Sequence, residues 1–176
     1  IPLCLVGSEM CIRDRCVDAM AQFSSNVPIS VKCRIAVDDQ DPEKILPSFI
    51  KTVSNSGVSI FIIHARKAIL SGLSPKDNRK IPPIDYNLVK KIKAQFPQLE
   101  ICLNGEIKDL SSVMNFINDG INGCMIGREV YKNPSKILEN ADEKIFKKMD
   151  LFGKSKKRTL YELSLIHISE PTRHRG

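Results

Sequence analysis

Nowhere in this chain do two cysteines stand three apart as Cys-x-x-Cys, although it has six of them. No apolar run approaches the ~20 residues that a membrane-spanning helix needs. No internal period suggests a solenoid. Together these absences argue against a thiolate metal site, a membrane protein and a repeat array. What is present is a moderate positive balance, 27 Lys and Arg against 20 Asp and Glu, for a formal net charge of +7. The bases cluster in Lys90-Lys91-Lys93, in Lys147-Lys148 and from Lys154 to Arg158. Such clusters are compatible with a polyanionic partner, but more often are ordinary solvated helix faces.

The two ends do not read as protein. Leu163–Arg173, LSLIHISEPTR, is a translation of one strand of a transposase-type sequencing adapter, and Leu5–Arg15, LVGSEMCIRDR, is a translation of the complementary strand. Residues 1–15 and 162–176 are therefore expected to be adapter-derived and are set aside from fold reasoning, together with His167 and His174. Four acids and four bases leave with them, so the net charge stands. The cysteines that remain are Cys16, Cys33, Cys102 and Cys124, three of them in apolar strand-like runs. They read as small buried hydrophobes in a reducing, cytoplasmic setting.

Four strand-like segments alternate with helical patterns: Ile29–Val37, Ser59–Arg66, Leu99–Leu103 and Gly123–Gly127. Asp41-Pro42-Glu43 is a strong helix start, followed by Ile45, Leu46, Phe49, Ile50 and Val53 at helical spacing, with Gly57 as the stop. Pro47 is expected to disturb the first turns and delay that start. Asp85 caps a helix with Leu88, Val89, Ile92 and Phe96 on one face, and Pro97 ends it. Asp109 opens another, carrying Leu110, Val113, Met114 and Ile117 inward, with Gly120 behind. Strands joined by helical crossovers of this length pair in parallel. The fold class is α/β, four consecutive β/α units. From about Asn133-Pro134 the strands cease and a charged helical region follows.

Alternation in the first strand places Ile29, Val31, Cys33 and Ile35 on one side and Lys32 and Arg34 on the other. Two cations on an inward face are costly unless a site uses them; a solvated edge strand is the plain alternative. His64 shares the parity of Ile60 and Ile62 and ends its strand, either as a satisfied core histidine or as a site residue. Arg66 and a long basic loop follow, in which Gly72, Pro75 and Pro82-Pro83 suggest an ordered path; loops of this length are usually functional or disordered. Asn104-Gly105-Glu106 and Gly127-Arg128 end the last two strands. Phosphate needs converging backbone N–H groups with no Cβ in the way, and Arg128 can add a charged donor.

The segments Val31-Lys32-Cys33-Arg34-Ile35, Ile63-His64-Ala65-Arg66, Leu73-Ser-Pro-Lys76-Asp-Asn-Arg79 and Ile126-Gly127-Arg128-Glu129 closely resemble the tRNA-dihydrouridine synthases, and within them the A-type branch. The likeness covers most of Cys16–Phe146. It implies strands five to eight of a TIM (β/α)8 barrel at residues 16–140, a fold that closes with roughly 250 residues, and the truncated start of a helical tRNA-binding domain at 141–161. The family uses NADPH to reduce FMN, whose hydride passes to a tRNA uridine, giving 5,6-dihydrouridine. By that likeness Lys32 and His64 contact the flavin ring and the uracil, and Asn104, Gly105, Glu106, Gly127 and Arg128 hold the FMN phosphate side. Arg34, Arg66, Lys67, Lys76 and Arg79 face tRNA. The family's general-acid cysteine belongs to a loop that would precede Cys16, so no catalytic residue is assigned and this piece is expected to be inactive.

A monomeric cytoplasmic parent enzyme is expected, with tRNA as partner and no metal or membrane. Cys33 and Ala36 stand where relatives often have His and Gly; Cys33 faces away from the site, so little effect is expected. Glu106 stands where the A-type branch usually has a second Gly, so its carboxylate is expected to turn outward, away from a phosphate. The competing readings are another FMN-dependent TIM-barrel oxidoreductase acting on a small molecule, similar to dihydroorotate dehydrogenases, and a non-catalytic RNA-binding module built on the basic loop and tail.

Overall fold

A computed structural model describes residues 16–20, 22, 28–138 and 141. The expectations at 1–15 and 162–176, and those for the 141–161 segment beyond residue 141, lie outside these residues.

Four parallel strands form one sheet in the order β1-β2-β3-β4, namely Ser30–Arg34, Ile60–His64, Glu100–Asn104 and Gly123–Met125. Helix α1 (Pro42–Asn55) joins β1 to β2, α2 (Tyr86–Gln95) joins β2 to β3, and α3 (Leu110–Asn118) joins β3 to β4. Two short helices, α4 (Arg128–Lys132) and α5 (Pro134–Leu138), follow. The architecture is α/β with a wholly parallel sheet.

Each long helix starts where a carboxylate satisfies an orphan backbone donor. Asp41 accepts from the Glu43 amide, Asp85 from Leu88 and Asp109 from Ser112. Contrary to expectation, Pro47 neither breaks α1 nor delays it. The helix runs through it because Leu46, Ile50 and Val53 are buried on the core side, and that packing outweighs one lost backbone bond. Ile45, expected inward, is 42% exposed. The apolar stripe is narrower than the spacing suggests.

Register divides the sheet into two faces. Val31, Phe61 and Ile101 pair laterally, as do Cys33, Ile63 and Leu103; these side chains meet Leu46, Ile50, Val53, Leu88, Val89, Ile92 and Val113 in a single core. Phe61, Ile63, Ile101 and Leu103 have no solvent exposure. The other face carries Lys32, Ile62 and Cys102 in one row and Arg34, His64, Asn104 and Met125 in the next. Every residue of those two rows is partly or fully exposed.

The bases of α2 are accounted for by the fold. Lys90 pairs with Asp119 at 2.6 Å and Lys91 with Glu43 at 2.7 Å, while Lys93 donates to the carbonyls of Pro97 and Leu99. This cluster fastens elements together. Among the described residues no helix is long and apolar enough to cross a membrane, and no group of three metal-ligating side chains gathers.

Truncating the core should cost far more than trimming the outer helix face. Phe61→Ala is expected to lower stability by about 3–5 kcal/mol, whereas Ile45→Ala should stay within about 0.5 kcal/mol. Urea denaturation of both variants, followed by far-ultraviolet circular dichroism, checks the difference.

Candidate functional site

At the C-terminal ends of the strands the pairing of Arg34 with His64, and of His64 with Asn104, sets three polar side chains in one row. The turn after β3 closes on that row. A Cβ built on Gly105, where φ is +120°, would lie 3.0 Å from His64 Cδ2 and 3.3 Å from its Nε2. Glycine is required here twice over, by the positive φ and by the imidazole against it. Three more contacts fix the turn. The Tyr86 hydroxyl donates to the Gly105 carbonyl at 2.7 Å, the Asn104 side-chain amide donates to the Met125 carbonyl at 2.7 Å, and the Glu106 carboxylate meets Arg66 Nη2 at 2.7 Å. Tyr86 is itself set edge-on against Phe116, with ring centroids 4.9 Å apart.

The electrostatics are dominated by cations. His64 is held down to a pKa of about 4, first by burial and then by the positive charges of Arg34, Lys32, Arg66 and Arg128. A fifth positive charge is unfavourable in such a place, so the imidazole is neutral at physiological pH. Burial and the Glu106 charge raise the Tyr86 hydroxyl above its usual range, keeping it protonated as the donor the turn needs.

The long loop after β2 is ordered, as expected, but its organiser is a residue that sequence reasoning does not single out. Asn78, 8% exposed, receives the Ile69 amide on Oδ1 and donates through Nδ2 to the Ile69 and Leu73 carbonyls. Its backbone carbonyl accepts from Arg34 Nη1, which also reaches the Lys67 carbonyl. Asp38, at φ +45°, holds the near end by accepting from the Leu70 amide. Nothing in the run Ser-Pro-Lys-Asp-Asn-Arg marks this role, because it arises from chain reversal rather than from spacing.

Lys32, Arg34, His64, Arg66 and Arg128 thus act on one locus, beside the Asn104-Gly105-Glu106 turn. Lys76 and Arg79 lie exposed on the loop, with Lys67 half-buried at its root; Arg79 offers its carbonyl to Arg128 Nη2 at 3.3 Å. Gly127 caps α4, and a Cβ there would meet nothing within 4 Å. Packing within the protein therefore does not demand glycine at that position.

One expectation needs correction. Arg66 is not a surface cation; it is 3% exposed, and its Nη1 donates to the Lys80 and Pro82 carbonyls. A guanidinium so enclosed has no surface to offer a polyanion. Glu106 is itself exposed, and its carboxylate pairs with Arg66 from a left-handed conformation, φ +47°, that costs an L residue roughly 1–2 kcal/mol.

A family model described as dihydrouridine synthase matches residues 5–171. This chain belongs to the dihydrouridine synthase family. Among curated relatives, it is 48% identical over 148 residues to the tRNA-dihydrouridine(20/20a) synthase of Escherichia coli K12, an alignment covering 84% of this chain and 42% of that one. The protein of the same name from Salmonella typhi is 49% identical over 144 residues (81% of this chain, 42% of that one). That from Pasteurella multocida is 45% identical over 143, with the same coverage. The chain spans less than half the length of these relatives. The sheet and its covering helices are of the TIM-barrel type found in the family, and the family match runs into both terminal segments expected to be adapter-derived.

The depressed His64 pKa has a direct consequence for stability. An unfolded imidazole takes up a proton near pH 6.5, the folded one only near 4. The stability contributed by neutral His64 is therefore complete above about pH 6.5 and is lost as pH falls toward 4. A proton NMR titration, with the signal assigned by its loss in His64→Gln, should give a midpoint near 4, moving upward in Lys32→Met. A midpoint at 6 or above would contradict the clustering of cations around the ring.

Proposed function

We propose that this chain is the second half, strands five to eight, of the FMN-binding barrel of a tRNA-dihydrouridine synthase. Its parent enzyme reduces uridine in tRNA to 5,6-dihydrouridine with NADPH as the reductant. The observation that supports this most is the neutral His64, pressed against the Gly105 turn and surrounded by Lys32, Arg34, Arg66 and Arg128. A locus this cationic, with a single carboxylate among the named side chains, suits a ligand that carries a phosphate and a polarisable ring.

The residues present fit FMN. Lys32 is exposed on the site face, one row below His64, where its ammonium can approach an electron-rich ring edge. Neutral His64 can donate and accept hydrogen bonds without adding charge, which suits an uncharged uracil. Asn104 acts by tying β3 to β4, leaving the backbone of Gly105 and Gly127 and the Arg128 guanidinium for the phosphate side. Bound FMN supplies the hydride-transfer chemistry, and these groups orient it and balance its charge. Arg34, Lys67, Lys76 and Arg79 are assigned to tRNA, and Arg66 and Glu106 to holding the walls of the site. The parent is a cytoplasmic monomer.

Two experiments test the proposal. In the parent enzyme, Lys32→Ala should lose the flavin absorbance of the purified protein and at least tenfold in NADPH-dependent tRNA reduction. Lys76→Ala and Arg79→Ala should retain flavin but weaken tRNA binding, each reducing the salt slope by about one. A small-molecule flavoenzyme would show no salt-sensitive tRNA affinity at all.

A further inference from the structure

Glu106 and Arg66 form a pair that the backbone does not favour. Gly105 and Glu106 both have positive φ, +120° and +47°; a second glycine would take the latter conformation at less conformational cost than glutamate. The Glu106 carboxylate nevertheless reaches Arg66 at 2.7 Å. Arg66 in turn is buried, with Nη1 on two carbonyls of the long loop, Lys80 and Pro82. Its Nε has no partner among the described residues. A buried guanidinium not fully hydrogen-bonded depends strongly on its counter-charge, and Glu106 is the carboxylate that reaches it.

We infer that the Glu106–Arg66 pair is a latch joining the turn after β3 to the long loop after β2, so that the loop is held in its tRNA-facing conformation only while the turn is in place. The pair has two arms. Through Glu106 it connects to Gly105, whose backbone lies against His64 and is fixed by Tyr86. Through the Lys80 and Pro82 carbonyls it connects to the segment that carries Lys76 and Arg79. Arg128 makes a second, weaker bridge by donating to the Arg79 carbonyl at 3.3 Å, so the loop leans on both strand-end turns assigned to phosphate. Glu106 also offsets one of the positive charges at His64, which tempers the attraction of the site for anions. Both residues are positioning residues, and neither touches substrate. The purpose of the latch rests on the proposed flavin and tRNA assignments, but its geometry does not.

The geometry can be tested without either ligand. In the 176-residue chain, Glu106→Gly removes the carboxylate while relieving the left-handed backbone, so folding is retained. Glu106→Gln keeps the shape and removes the charge. Hydrogen exchange of the Ile69, Asn78 and Ile81 amides, all bonded within the loop, should accelerate at least tenfold in both variants. The amides of Phe61–Ile63 should be unaffected. In the parent enzyme, tRNA should bind several-fold more weakly, with FMN affinity unchanged or raised, and the defect should fall on KM for tRNA rather than on kcat. Loop exchange in Glu106→Gly equal to that of the unsubstituted chain would overturn the latch, even if FMN and tRNA bind the parent as proposed. Accelerated loop exchange in a parent that binds neither FMN nor tRNA would leave the latch standing and remove the function assigned to it.

Discussion

Lateral pairing of Arg34, His64 and Asn104 across three parallel strands is the constraint on which the rest of the site depends. Successive side chains on a strand point to opposite faces, and paired residues of parallel strands share a face. Once Ile63 and Leu103 are committed to the core, His64 and Asn104 must stand together on the other side. A shift of one residue in any strand would exchange polar for apolar groups across the sheet. The core thus selects the site. Burying Phe61, Ile63, Ile101 and Leu103 without exposure is what delivers a cation, an imidazole and an amide to one end of the opposite face.

That placement creates an electrostatic arrangement that only a helper residue can keep compact. Four cations act on His64, and like charges gathered this closely repel one another. Two of the arginines are occupied in structural bonds: Arg34 on the carbonyls of Lys67 and Asn78, and Arg66 on those of Lys80 and Pro82. Positive charge therefore serves twice, as the field that suits an anion and as the fastening for the loop beside it. Glu106 is the counterweight. Its carboxylate reduces the repulsion at the one point where a guanidinium has been taken out of water.

Much of this is legible in the sequence, and the reasons are specific. Alternation in Ile29–Ile35 and the strand-end position of His64 are enough to place Lys32 and His64 on one face, because strand parity is set by backbone geometry alone. The three aspartate caps are equally plain, since each precedes an apolar helical stripe. Pro47 misleads because its penalty is local, while the burial that overrides it is tertiary. Arg66 reads as a surface cation because it follows His64 and opens a basic loop. Its burial depends on the loop turning back over it, which no spacing within the run encodes. The roles of Asn78 and Tyr86 are hidden in the sequence for the same reason. The pairing of the Glu106 carboxylate with Arg66 is a contact between two strand-end turns, which no spacing encodes either.

The long loop is anchored at two strand tips. The stretch from Ile69 to Asn78 is held by the Asn78 side chain and Arg34, and the stretch from Lys80 to Asp85 by Arg66 and by the Asp85 amide on the Ala65 carbonyl. Cleavage of the exposed Arg79–Lys80 peptide bond would therefore create two new chain ends, each still moored to a different strand tip. A nicked molecule of this kind stays associated and keeps its outline, so intact mass under native conditions and apparent size under denaturing ones would part company.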